Sequence, residues 1–227
     1  MVAGAQIAPL PADEARALDR DGYLIFRATI PGEWLGPLRE RFEAAVLPSD
    51  RWPVPRGKDW RHALLDADPL VRRVCKLPGL LSAAHHILKG PFFLAQAEGR
   101  EPLRDGGHQP LHRDGMPEAL GRNVSALAFL DPFGPDNGAT RLVPGSHASG
   151  RPEPEIGIAG EAGDVVLFDA DLLHAGSRNV SGARRRSLLI GYAGQELLAT
   201  FERTNALRGL SDAPREIFGA TPVDALS

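Results

Sequence analysis

From Gln109 onward the chain breaks into short runs of β-favouring residues with Gly- and Pro-containing turns between them. The runs are Pro110–Asp114, Val124–Leu130, Thr140–Val143, Asp164–Phe168, Leu172–Ala175 and Arg184–Tyr192. Short strands at this spacing point to a β-sandwich or barrel. The 25 Gly and 20 Pro are spread along the sequence, which fits many turns rather than one disordered block.

The N-terminal part reads differently. Residues 1–11 form a loose tail, and Asp13 is placed to cap a short helix running to about Arg20. Asp21-Gly22 marks a turn, and Tyr23–Phe26 reads as a strand. Pro31 opens a second helix, roughly 31–47, in which Trp34, Leu35, Leu38, Phe42, Ala45 and Val46 recur at helical spacing. Residues 48–60 read as a loop, and 61–89 as helical with a break at Pro78-Gly79. Phe92–Ala97 reads as a strand, and Gly99–Gly107 is polar and rich in turn residues. With no internal repeat and no linker, 1–227 is expected to be one domain. It has an N-terminal helical part (about 12–90), a β core (about 91–195) and a C-terminal wrap of helix and loop (196–227).

Composition narrows the partners. A net charge of −3 recommends neither nucleic acid nor an anionic membrane. A single cysteine, Cys75, rules out an internal disulfide and fits a reducing cytoplasm. The N-terminus lacks the basic and apolar regions of a signal peptide, and no apolar run approaches the roughly 20 residues that span a bilayer. The expectation is a cytoplasmic protein acting on a small molecule.

The chemistry centres on Gln109-Pro110-Leu111-His112-Arg113-Asp114-Gly115. In an extended strand residues i and i+2 share a face, so the His112 imidazole and the Asp114 carboxylate project side by side. They are two-thirds of the two-histidine, one-carboxylate set that holds ferrous iron with open positions. Arg113 between them should point away from the metal. His174, delivered after the apolar run Val165–Phe168, is the candidate third ligand, although a histidine at a strand end is commonly just bonded to backbone. Three arginines, Arg184, Arg185 and Arg186, then enter an apolar strand. If Arg184 and Arg186 face water, Arg185 faces inward and needs an anion, since an unpaired buried charge is costly. A bound carboxylate gripped by the planar guanidinium or an internal salt bridge would each satisfy it. The segment Asn137–His147 reads as hairpin corners.

Together, His112-Arg113-Asp114, Asn137-Gly138, Val143-Pro144-Gly145-Ser146-His147, Gly163-Asp164, and His174 followed by Asn179 and Arg185 resemble the phytanoyl-CoA dioxygenase family. The likeness runs from about Asp13 to Tyr192. It implies a mainly β fold, a double-stranded β-helix (jelly roll, cupin-like) core with N-terminal helices packed against it. It also implies an Fe(II)- and 2-oxoglutarate-dependent oxygenase that consumes O2, releases succinate and CO2, and hydroxylates or otherwise oxidises a metabolite. On this resemblance His112, Asp114 and His174 match the iron ligands. Arg185 matches the arginine on the distal carboxylate of 2-oxoglutarate, with Arg184 the alternative if register slips by one. Ser125 matches a position that places a hydroxyl on the cosubstrate in some members. Gln96 lies on a pocket-lining strand, Thr140 is a weaker candidate, and His147 is structural. Chlorinating relatives replace the carboxylate ligand with a small residue; Asp114 is intact, so hydroxylation is the better reading. Substrate choice would lie in the 99–107 and 115–122 loops. Two other readings use the same residues. A jelly-roll binding protein without turnover would be expected to have an eroded triad. A zinc hydrolase would leave Arg185 without a role.

Overall fold

The computed structural model describes residues 7–52, 57–114, 121–148, 153–204 and 216–219. The start of the expected tail, the loop after Asp114 and much of the C-terminal wrap lie outside the described residues.

Helix α1 (Ala12–Asp21) has Pro11 at its N-cap and no side-chain cap; Asp13 sits in the first turn instead, where a negative charge complements the helix dipole. Gly22, at φ +79°, closes the helix. Strand β1 (Tyr23–Phe26) leads to α2 (Gly32–Ala44), shorter than expected because β2 (Val46–Leu47) follows at once. The stretch expected to be helical over 61–89 begins instead as strand β3 (Trp60–Leu64). Asp68 then caps α3 (Pro69–Val74), accepting from Leu70 N at 2.8 Å and Val71 N at 3.0 Å. Helix α4 (Pro78–Leu88) starts on the proline expected to break the run.

The β part comprises β4 (Phe92–Pro102), β5 (Asn123–Phe129), β6 (Thr140–Leu142), β7 (Ile156–Gly157), β8 (Val165–Asp169), β9 (His174–Gly176) and β10 (Ser187–Gly194). Helix α5 (Leu198–Thr204) and β11 (Ile217–Phe218) follow. Among the described residues one sheet runs β1-β8-β5-β10-β4-β3-β2, with β11 also on β4, and a smaller sheet runs β7-β6-β9. Every pairing is antiparallel. The result is a jelly roll with N-terminal helices on its outer face.

Strand alternation sorts the core into two layers. Ala97, Ala126, Ala128, Leu188 and Ile190 face outward onto Leu38, Phe42, Leu80 and Leu88 of the helices. Leu127, Phe129, Val166, Phe168 and Leu189 face inward and meet Leu142 of the smaller sheet. At one end of the inner face Phe93, Ala95 and Ala193 pack against Leu198 and Phe201 of α5 and Ile217. The strand expected over Pro110–Asp114 forms no ladder; only a bridge links His112 to His174. Pro110 has no N–H to contribute to one.

Candidate metal and cosubstrate site

His112 and His174 are joined by a reciprocal backbone pair, each N–H donating to the other's carbonyl at 2.9 Å. Asp114 N donates to Ala170 O at 2.9 Å, so the ligand segment lies against the turn that precedes β9. Each imidazole is oriented in the same way. His112 Nδ1 is 2.9 Å from Pro110 O, and His174 Nδ1 is 3.0 Å from Leu172 O, in both cases the carbonyl two residues earlier. A carbonyl only accepts, so each Nδ1 carries a proton, and each Nε2 faces Asp114. His112 Nε2 is 3.5 Å from Asp114 Oδ1 and His174 Nε2 is 3.4 Å from Oδ2. One donor atom from each residue lies within 4.8 Å of the other two.

Burial opposes ionisation of Asp114, but the contacts from His112 and His174 outweigh it and hold the carboxyl far below the usual carboxylate range. Asp114 in turn raises the pKa of His112. Two imidazole Nε2 atoms and a carboxylate converging from one side suit ferrous iron.

The three groups open into a cavity of about 470 Å³, its mouth included, that also reaches Arg185, Arg100, Trp60 and Thr140. Arg185 is 2% exposed. Its guanidinium lies over the Phe133 ring at 4.5 Å and the Trp60 ring at 5.5 Å. Its Nε has no hydrogen-bond partner, and no carboxylate pairs with it among the described residues. Burial, reinforced by Arg100 and opposed by Glu101, lowers its pKa to about 9, so it stays cationic at neutral pH.

The neighbouring arginines explain why no acid is left for it. Arg184 pairs with Glu101 and Glu43, and Arg186 with Asp131 and Glu43. The outward pair thus meets acids rather than open water. Among the described residues the internal salt bridge considered for Arg185 does not form, and Arg184 does not line the cavity. These arginines precede β10 rather than lying in it.

Thr140 lines the cavity; Ser125 and Gln96 do not. Both pair with Gly191, one row along the inner face from Leu189, which does line it. His147 packs on Gly22, where an added Cβ would lie 2.4 Å from its Nδ1. Sequence reasoning missed Arg100 and Trp60. Arg100 follows Gln96 and Glu98 at period two on β4, which was the available signal; its Nε donates to Glu98 Oε1 at 2.6 Å.

A His-x-Asp…His triad beside a buried arginine on a jelly roll defines the class of non-haem iron oxygenases. Residues 18–187 match the phytanoyl-CoA dioxygenase family, and the chain belongs to it. It is 26% identical to L-proline trans-4-hydroxylase of Streptomyces griseoviridis, over 76% of this chain and 82% of that protein. It is 35% identical to the dioxygenase trt7 of Aspergillus terreus, over 78% of this chain and 71% of that one. Among solved structures, HygX from Streptomyces hygroscopicus with nickel and 2-oxoglutarate bound superposes with a TM-score of 0.70. The identity is 19%, over 82% of this chain and 88% of HygX, which supports the fold.

Proposed function

We propose that His112, Asp114 and His174 hold the iron, and that Arg185 holds the far carboxylate of 2-oxoglutarate, in an enzyme that hydroxylates a small-molecule metabolite. The chain is an iron- and 2-oxoglutarate-dependent dioxygenase. When bound, the iron supplies oxygen activation coupled to conversion of 2-oxoglutarate and O2 into succinate and CO2.

The carrying observation is Arg185: a buried cation with no acid of its own among the described residues, in the same cavity as the triad. A dicarboxylate running from the triad to Arg185 would satisfy it bidentately. Phe133 and Trp60 hold the guanidinium plane and keep water from it. In the same cavity Thr140 offers a hydroxyl and Arg100 adds positive charge. Ser125 and Gln96, flanking Gly191, are proposed to extend the polar lining toward the cosubstrate, supported by their shared inner face. The retained Asp114 carboxylate supports hydroxylation over halogenation.

No helix among the described residues is long and apolar enough to cross a membrane. A single buried cysteine supports a reducing compartment such as the cytoplasm. Hydrophobic clusters that share the strands of one sheet support a single domain.

The test is succinate release against a panel of small molecules, with Fe(II) and ascorbate present. Turnover that needs both iron and 2-oxoglutarate is expected. Undiminished turnover in Asp114→Ala would overturn the ligand assignment, and activity with zinc alone would overturn the reaction class.

A further inference from the structure

Arg113, between the two ligands of the His-x-Asp segment, does not face the metal site. Its Nη1 donates to Ser146 O at 2.8 Å and to Asp171 O. Both acceptors are main-chain carbonyls, so the contact does not depend on the acceptors' side chains. Ser146 is 5% exposed and belongs to the Val143–His147 turn; its Oγ accepts from Leu173 N at 2.8 Å, immediately before His174. Asp171, 7% exposed, accepts from Gly121 N through Oδ2 at 2.5 Å. One guanidinium therefore ties three segments: the one carrying His112 and Asp114, the turn at Ser146, and the turn that delivers His174.

The rest of the attachment is sparse. Asp114 is held to its neighbours by the Ala170 carbonyl and by the two imidazoles. We propose that Arg113 is a positioning residue that sets the distance of Asp114 from His174, and with it the geometry in which iron is held, by clamping the Ser146 and Asp171 carbonyls. The Val143-Pro144-Gly145-Ser146-His147 turn thereby becomes part of the metal site's support. One Nη1, with two hydrogens, reaches both carbonyls, so a lysine ammonium would retain part of the clamp and methionine none of it. Supporting contacts one layer out from a metal typically change its affinity about ten- to hundredfold.

This inference rests on the assignment of His112, Asp114 and His174 as iron ligands. The experiment compares the full chain with Arg113→Met and Arg113→Lys by anaerobic Fe(II) titration and by the visible charge-transfer absorption formed on adding 2-oxoglutarate. Melting of the metal-free proteins is followed in parallel. The expected result is Fe(II) binding weakened about tenfold or more in Arg113→Met, with a shifted or weaker band and a smaller loss in Arg113→Lys. Weakened binding in a variant whose metal-free melting matches the parent separates positioning from general destabilisation. Should Arg113→Met fail to fold, Arg113→Lys decides: weakened affinity supports the clamp. A folded variant with parental affinity and an unaltered band overturns it. Failure of the parent chain itself to bind Fe(II) would overturn the ligand assignment instead.

Discussion

Cζ of Arg185 lies 4.5 Å from the centre of the Phe133 ring, deep in a cavity that offers it no carboxylate among the described residues. A cation in that position opposes folding until an anion arrives, and stability and cosubstrate binding should therefore respond to its removal in opposite directions. Arg185→Met is expected to raise the KM for 2-oxoglutarate about tenfold or more, as expected for hydrogen bonds to a charged group worth about 1.5–3 kcal/mol. The metal-free protein should melt no lower than the parent, because an uncompensated buried charge has been taken away. A clear drop in melting temperature with unchanged KM would contradict both halves.

Asp114→Ala removes the one anionic member of the proposed ligand set and leaves two imidazoles already oriented by Pro110 and Leu172. Substrate-dependent succinate formation should fall below detection, and Fe(II) titration should show binding at least tenfold weaker. The two measurements together separate a metal defect from a substrate defect.

Arg100 is the cavity's second cation, tethered by Glu98 at 2.6 Å. Arg100→Met should raise the KM for 2-oxoglutarate less than Arg185→Met does. Glu98 would keep Arg100 partly neutralised, whereas Arg185 has no such partner among the described residues. Steady-state kinetics with 2-oxoglutarate varied would show the order.

Glu43 gathers Arg61, Arg184 and Arg186 on the outer side of the sheet. Burial pushes its pKa up, but Arg61 and Arg184 outweigh it and lower it from 4.5 to about 2. A carboxyl depressed in the folded state stabilises fully above its unfolded pKa, and that contribution disappears as pH falls from about 4.5 toward about 2. Glu43→Gln should therefore melt below the parent at pH 7, with the gap closing across that acid window. A gap of constant size from neutral to acid would rule out the charge as its cause.

Gly99 faces the helices from the middle of β4. An added Cβ there would lie 2.6 Å from the Phe42 ring and 2.8 Å from Ala63 Cβ. Both neighbours are fully buried, so Gly99→Ala should destabilise by about 1–3 kcal/mol, read from denaturant unfolding.

His112 beside Asp114 was legible from period two, and an inward Arg185 from alternation across Arg184, Arg185 and Arg186; His174 joined them only through the family resemblance. The jelly roll was legible from the short runs after Gln109 and the order of motifs. Strand β3 was not. Trp60-Arg61-His62-Ala63-Leu64 has no clean apolar alternation, and its extended form comes from pairing with β4 and from Phe42 seated over Gly99. Arg113 was legible only as pointing away, since its partners are carbonyls 33 and 58 residues distant. Nothing near it in sequence names them.

The reciprocal bonding of His112 and His174 separates chemistry from recognition. Their rings sit 4.4 Å apart, close to the roughly 4.8 Å between neighbouring strands, so the gap between the two imidazoles follows from backbone pairing. The backbone bridge and the two Nδ1 contacts together hold that gap. Loops flanking the mouth can then diverge toward new substrates while the metal chemistry is inherited unchanged. One scaffold can in this way supply many oxidations.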